Sequence, residues 1–388
     1  MKPIQYIVFF SVVFTIYGLV NYYIYSRGMA AIPITGNSRS IFTGIFLFLS
    51  LSFIVGRFLE RIWLSPVSFA FTWIGAFWLA AMAYFFLFAL LSDILRLLNH
   101  LFHFYPGSGI SGTDPIRRYA LVFVIGIVTV MMAAGHLNAL IPRVRTITLS
   151  IPKTVGLPSP LRIAVASDIH LGTIIGPKRV KRLVSKINAL KPDLVLFAGD
   201  VVDEDLGPVI HQNVGDELKN IRSRNGIYSI TGNHEYIGGV DRAVAFLAGQ
   251  NITVLRDSVV RVLDEIYVVG REDHDQARFG GRGKKPLKEL LSGVDMTKPV
   301  IVLDHQPTNL NESVECRVDL HISGHTHHGQ IWPFNLITRK IYDISWGYEK
   351  RSETHLYVSS GFGTWGPPVR IGSYPEIVEF VLSFSNKN

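Results

Sequence analysis

Five short polar clusters carry residue types suited to metal chemistry: Asp168-Ile169-His170, Gly199-Asp200, Gly232-Asn233-His234-Glu235, Asp304-His305 and Gly324-His325-Thr326-His327. Carboxylate, amide and imidazole donors without a thiolate suit divalent ions of intermediate hardness, such as Mn, Fe or Zn. The clusters hold more donors than one ion needs. Two ions about 3.5–4 Å apart, sharing a carboxylate, can clamp both the attacking and the leaving oxygen of a phosphoryl transfer.

Each cluster stands at the end of an apolar run, and those runs are the elements that must position it. Residues 163–172 read I-A-V-A-S-D-I-H-L-G and are bounded by Pro158, Pro160 and Gly172. This predicts a buried parallel strand of an open α/β sheet, with its chemistry at the carboxyl end. Alternation puts Asp168 and His170 on one side, where both reach one ion. Further apolar strands are predicted at 194–198, 227–231, 300–303 and 320–322, each ending in Asp, Asn or His. Strands are also predicted at 252–255, 259–263 and 267–269, and helices at 177–190, 216–223, 241–248 and 286–291. The glycines before Asp200, Asn233 and His325 allow tight turns beside a crowded centre.

The 388-residue chain is long enough for two or three domains. Its mean hydropathy of +0.28, with only 18% charged residues, places part of it in a membrane. Apolar residues concentrate before residue 142. Uncharged runs at 3–25 and 40–56, a run at 64–95 charged only at Asp93, and a run at 119–141 interrupted only by His136 predict about four transmembrane helices. Tyr22, Tyr23 and Tyr25 read as an interfacial belt, which favours a retained span over a signal peptide. The expected organisation is a transmembrane region at 1–142, a linker with one edge strand at 143–160, and a catalytic domain at 161–388. Lys and Arg counts on the two sides of the spans are balanced, so orientation stays open, with the cytoplasmic side as the working assignment for the catalytic domain.

The net charge of +8 suits an anionic partner, either a lipid surface or a phosphorylated substrate. No basic-aromatic stripe is present, so no nucleic-acid partner is expected. The single cysteine, Cys316, excludes an internal disulfide. His100, His103, His211, His274, His321 and His355 lack the ligand grammar and are read as solvent-facing or hydrogen-bonded.

Taken in order, D-I-H, G-D, G-N-H-E, a lone downstream His and G-H-T-H resemble the calcineurin-like metallophosphoesterase family. The tail at 356–370, L-Y-V-S-S-G-F-G-T-W-G-P-P-V-R, resembles the bacterial membrane-associated branch. The resemblance implies a β-sandwich flanked by helices in place of a single open sheet. It implies two divalent ions, the first on Asp168, His170 and His327 and the second on Asn233, His305 and His325, with Asp200 bridging. His234 would then not ligate but stand beside the scissile phosphate and assist the leaving group. Glu204 stands where related protein phosphatases have a phosphate-holding arginine region, and Asp203 stands where purple acid phosphatases have a tyrosine ligand; both departures disfavour those activities. Gly232-Asn233-His234-Glu235 also departs from the G-N-R-D of the soluble UDP-diacylglucosamine pyrophosphatases.

The expected function is a membrane-anchored phosphoester or pyrophosphate hydrolase acting on a lipid-linked or headgroup phosphate. It would be a multi-pass protein of a bacterial inner membrane. Arg370 and His328 are the candidate substrate contacts, and Trp332, Phe334, Trp346 and Trp365 a candidate amphipathic lip. The alternatives are a tethered phosphodiesterase acting on soluble nucleotides or phosphodiesters, and a non-catalytic sensor or binding module.

Overall fold

The computed structural model describes residues 3–32, 37–103, 115–156 and 160–385. Pro158, expected to bound the first strand, lies outside the described residues. The chain divides into two compact units, Met1–His136 with Gly366–Val369, and Leu137–Trp365 with Arg370–Asn388.

The first unit consists of helices α1 (Pro3–Ala31), α2 (Ser38–Ile62), α3 (Pro66–Phe102) and α4 (Pro115–Ala139), of which residues 137–139 already belong to the second unit. Among the described residues, Ser38–Ile62, Pro66–Phe102 and Arg117–Ala139 are long and apolar enough to cross a bilayer. Helices α2 and α3 pack backbone against backbone: a Cβ on Gly75 would lie 2.3 Å from Phe53 N. Several of the unit's polar groups are paired within it, which lowers their cost in hydrocarbon. Trp78 Nε1 donates to Asn21 Oδ1 at 3.0 Å, and Asp93 accepts from Tyr23, Arg27 and Arg96. Both α2 and α3 run past the apolar stretches that predict them, because backbone hydrogen bonding does not stop where charge begins; Arg57 and Glu60 pair within α2.

The second unit is a sandwich of two mixed sheets. The first sheet contains β1 (Arg143–Thr154), β2 (Leu161–Ala166), β3 (Leu194–Phe197), β4 (Ile227–Ile230) and β5 (Thr253–Leu255). The second contains β6 (Ser258–Val262), β7 (Ile266–Gly270), β8 (Val300–Leu303), β9 (Leu320–Ser323), β10 (Gly347–Arg351) and β11 (Thr354–Val358), and β12 (Glu376–Ser385) returns to the first. The orders are β1-β12-β2-β3-β4-β5 and β10-β11-β9-β8-β7-β6. Strand β12 runs parallel to β1 and antiparallel to β2, while β2, β3, β4 and β5 are parallel neighbours. In the second sheet β7, β8, β9 and β11 are parallel, flanked by the antiparallel β6 and β10.

One face of each sheet meets the other: Ile163, Val165 and Leu196 pack with Val268, Ile301 and Ile322. The outer faces are covered by helices. Val180, Leu183 and Ile187 of α5 (Pro177–Ala189) cover Val195 and Phe197, and Leu287 of α10 (Leu287–Leu290) covers Val300 and Val302. Burial on both faces is why these strands read as continuous apolar runs. The single open sheet expected from the local pattern is therefore corrected to two sheets; a short apolar run does not record which sheet receives it. Short helices fill the connections: α6 (Leu206–His211), α7 (Val214–Leu218), α8 (Asn233–Gly238), α9 (Val240–Ala248), α11 (Leu310–Glu315) and α12 (Phe334–Ile341).

Candidate metal centre

The polar clusters follow the carboxyl ends of β2, β3, β4, β8 and β9, and the backbone there is unusual. Asp168, His170, Asp200, His325 and His327 all have φ between 47° and 71°, the left-handed region that side chains seldom adopt. Such a conformation turns the chain back sharply, so residues only two apart can face one point. It costs of order 1 kcal/mol or more at each position and persists where surrounding packing enforces it.

Two clusters converge. Asp168, His170 and His327 form one, and Asp200, His305 and His325 the other, with donor atoms in each within 4.8 Å of one another. His170 Nε2 and His327 Nε2 lie 3.0 Å apart, close enough that both could hold one ion. Asp200 Oδ2 lies 3.1 Å from His305 Nε2 and 3.8 Å from His170 Nε2, so one carboxylate faces both clusters. Asn233 Oδ1 comes within 2.9 Å of His325 Nδ1.

The surroundings aim these groups inward. His305 Nδ1 donates to Ala198 O at 2.8 Å, which turns its Nε2 toward Asp200. Asp168 Oδ1 accepts from His325 N at 2.8 Å, while Asp168 Oδ2 is buried without a hydrogen-bond partner and His305 Nε2 faces the Asp200 carboxylate. An orphaned buried carboxylate oxygen of this kind fits a cation. Burial and the neighbouring His305 push His325 down to about 3, and burial with His170 lowers His327, so both imidazoles are neutral, the form that ligates. Two glycines make room by close approach. A Cβ on Gly232 would stand 2.2 Å from Asp200 Oδ1, and one on Gly324 would stand 2.4 Å from Asp168 Oδ2.

His234 sits beside the two clusters, its ring 4.6 Å from that of His170. Its Nδ1 bonds Asp203 Oδ1 at 2.9 Å. Burial alone would lower the His234 pKa, but the charges of Asp200 and Asp203 raise it to about 9. Burial would likewise raise Asp203, yet the imidazoles of His170 and His234 hold it well below the ordinary carboxylate range. The result is an imidazolium held by a carboxylate, with its Nε2 left for a substrate oxygen. Glu235 holds the same loops together, accepting from Asp200 N, Val202 N and Gly232 N at 2.7–3.1 Å.

Residues Asp168, His170, Asp200, Asn233, His234, His305, His325 and His327 thus meet. Arg370 and His328 do not join them as substrate contacts. Arg370 is fully buried, and its guanidinium donates to Gly361 O, Gly363 O and Tyr374 O and packs 3.1 Å from His327 Nδ1. No donor is left for a phosphate, so its part is a strut behind His327. His328 is buried against Trp346, with Nδ1 bonded to Ser345 Oγ at 3.0 Å. Sequence reasoning missed Asp203 and Glu235 as supports. The signal was their spacing, three residues after Asp200 and two after Asn233.

A family model described as "Calcineurin-like phosphoesterase" matches residues 161–329. A bovine "transmembrane protein with metallophosphoesterase domain" is 32% identical over 294 residues, covering 71% of this chain and 66% of that protein. A metallophosphoesterase of Aquifex aeolicus is 32% identical over 256 residues, covering 65% of this chain and 96% of its own length. One from Campylobacter jejuni is 30% identical over 390 residues, covering 98% of this chain and 99% of its own length.

Proposed function

Because the chain belongs to the calcineurin-like family of metal-dependent phosphoesterases, we propose that it hydrolyses a phosphoester or pyrophosphate bond of a lipid-linked or headgroup substrate at the bilayer that anchors it. The observation that carries the reading is the pair of His/Asp clusters facing Asp200. Asp168, His170 and His327 would hold one divalent ion and Asn233, His305 and His325 a second, with Asp200 shared; Mn, Fe and Zn suit the donor set. When bound, such ions supply electrophilic stabilisation of the phosphoryl oxygens.

The chain's own residues do the rest. His234, held by Asp203, donates its Nε2 proton to the leaving oxygen as that bond breaks. Asp203 keeps the ring oriented and protonated for that step. The aromatic edge of Trp365, 5.6 Å from the His234 ring, flanks the departing group. The lipid-linked substrate is supported by the membrane-crossing helices. Helix α1, uncharged until Arg27, is the fourth span in this reading, and the almost full-length match to the Campylobacter protein supports a bacterial inner membrane. We place the catalytic unit on the cytoplasmic side, which protease protection in inverted vesicles tests.

The functional test is purification of the full chain, chelation, and re-addition of Mn, Fe, Zn or Mg, beside Asp200→Ala. Hydrolysis of both bis-p-nitrophenyl phosphate and a lipid-borne phosphate should return with metal and be lost in the variant. Turnover of water-soluble diesters alone would replace the lipid substrate with a soluble one. A chain that binds no metal overturns the proposal.

A further inference from the structure

Helix α12 is inside out for a domain surrounded by water. Its inward residues are polar: Asn335 is buried, and Thr338 Oγ1 accepts from Ser345 Oγ at 2.9 Å. Its outward residues are Phe334, Ile337 and Ile341, at the i, i+3, i+7 spacing of one face, with Leu336 beside them. Trp332 precedes the helix, and Trp365 joins it from a neighbouring loop. Those six side chains are 42–66% exposed. A patch of this concentration marks a contact surface. Exposed Arg339 and Lys340 border it, so the patch is apolar with a basic edge. That is the composition of an element lying in the headgroup region of an anionic bilayer.

Within the second unit, hydrogen bonds run from the patch to Asn138. Trp332 N donates to Ile371 O at 2.7 Å, and Gln330 exchanges two bonds with the Trp365 backbone at 2.9 and 3.1 Å. On either side of Ile371, Arg370 O and Ser373 O accept from Asn138 Nδ2 at 2.9 and 2.8 Å. Asn138 lies in the last turn of the candidate span Arg117–Ala139. The patch borders the candidate centre as well, since Trp365 packs on His234, and Tyr342, next after α12, has its ring 6.0 Å from His325.

We propose that α12, with Trp332 and Trp365, is a membrane-docking rim seated in the interfacial layer of the anionic bilayer that the chain spans, so that the mouth of the centre opens onto headgroups. The rim stands on exposure and connectivity and does not depend on which phosphate is cleaved.

The test uses the full chain in vesicles of phosphatidylglycerol and phosphatidylcholine. Cys316→Ser removes the single native thiol, and a nitroxide is attached to Ile337→Cys, Ile341→Cys or, as a water-exposed reference, Lys219→Cys. Unfolding midpoints matched to the parent chain establish that each labelled protein is folded. Oxygen should relax the labels at 337 and 341 more than a water-soluble nickel complex does, and the order should reverse at 219. Labels at 337 and 341 that behave like the one at 219 overturn the rim. Low accessibility to both reagents, as burial against another protein would give, also overturns it. Insertion combined with failure to hydrolyse lipid-borne phosphate leaves the rim standing and overturns the substrate reading instead.

Discussion

Replacing Asp203 with Asn keeps the shape of the His234 contact and removes its charge. The bond is 2.9 Å long and largely shielded from water. A hydrogen bond to a charged group contributes roughly 1.5–3 kcal/mol, which at about 1.4 kcal/mol per tenfold is a loss of roughly 10- to 150-fold if the bond is needed when the leaving group departs. The leaving group makes the test specific. An alkyl phosphodiester departs as a poor alkoxide that needs a proton, whereas p-nitrophenolate departs as a stable anion. Asp203→Asn should therefore cost the full factor on the alkyl ester and less than about threefold on the p-nitrophenyl ester. The pH profile adds a sign. His234 acts protonated, so activity falls as pH rises through its pKa; the Asp203 charge raises that pKa, so its removal moves the alkaline limb to lower pH. Assays of the released alcohol or nitrophenol and of the phosphomonoester product for both esters across pH, with metal content measured in parallel, decide the matter. Equal losses on the two esters with an unmoved alkaline limb would refute the acid role and leave Asp203 a structural residue.

Three further outcomes follow from the same geometry. Chelation should abolish turnover and lower the unfolding midpoint, because ligands that bind only the folded state stabilise it by about 2.7 kcal/mol at a hundredfold excess over Kd; calorimetry with and without re-added Mn reads this. Gly232→Ala should reduce bound metal and activity together, since Gly232 has an ordinary φ of −114° and the added methyl would stand 2.2 Å from Asp200 Oδ1 and 2.8 Å from Asp200 Cγ and N; elemental analysis showing a full complement of metal would contradict the steric account. Arg370→Met should leave buried carbonyls unpaired at a cost of roughly 3 kcal/mol, about 6–12 °C in melting temperature, with KM unchanged; a raised KM at an unchanged melting temperature would return Arg370 to the role of phosphate clamp.

The ligand clusters were legible because each one ends a strand, and a strand end is a local event. An apolar run followed by Asp, Asn or His is written in consecutive residues, so β3, β4, β8 and β9 could be placed to within a residue, whereas β2 ends at Ala166 and the alternation expected through Asp168 and His170 gives way to left-handed turns. The pairing of strands into two sheets was not legible. Strand β12 lies some 210 residues after β2 and inserts between β1 and β2, a choice made by the core formed with Tyr357 and Phe380 and not by its own alternation. Arg370 misled for a related reason. Its guanidinium suits a phosphate, but the carbonyls of Gly361, Gly363 and Tyr374 that consume its donors come from segments whose approach depends on the whole fold.

Helix α12 went unread because it violates the rule by which helices are found. An amphipathic helix is recognised by an apolar face turned to a core, whereas here the core side holds Asn335 and Thr338 and the apolar side faces outward. In a chain with membrane-crossing helices the bilayer is a second apolar phase, so an inverted helix satisfies the same physics with a different partner. The cost of exposing Trp332, Ile337 and Ile341 to water is then met by lipid instead of protein. It follows that the soluble appearance of this unit is incomplete without a bilayer surface. Truncating the chain to its catalytic unit should leave that patch uncovered and the protein prone to self-association, which light scattering before and after addition of anionic vesicles would register.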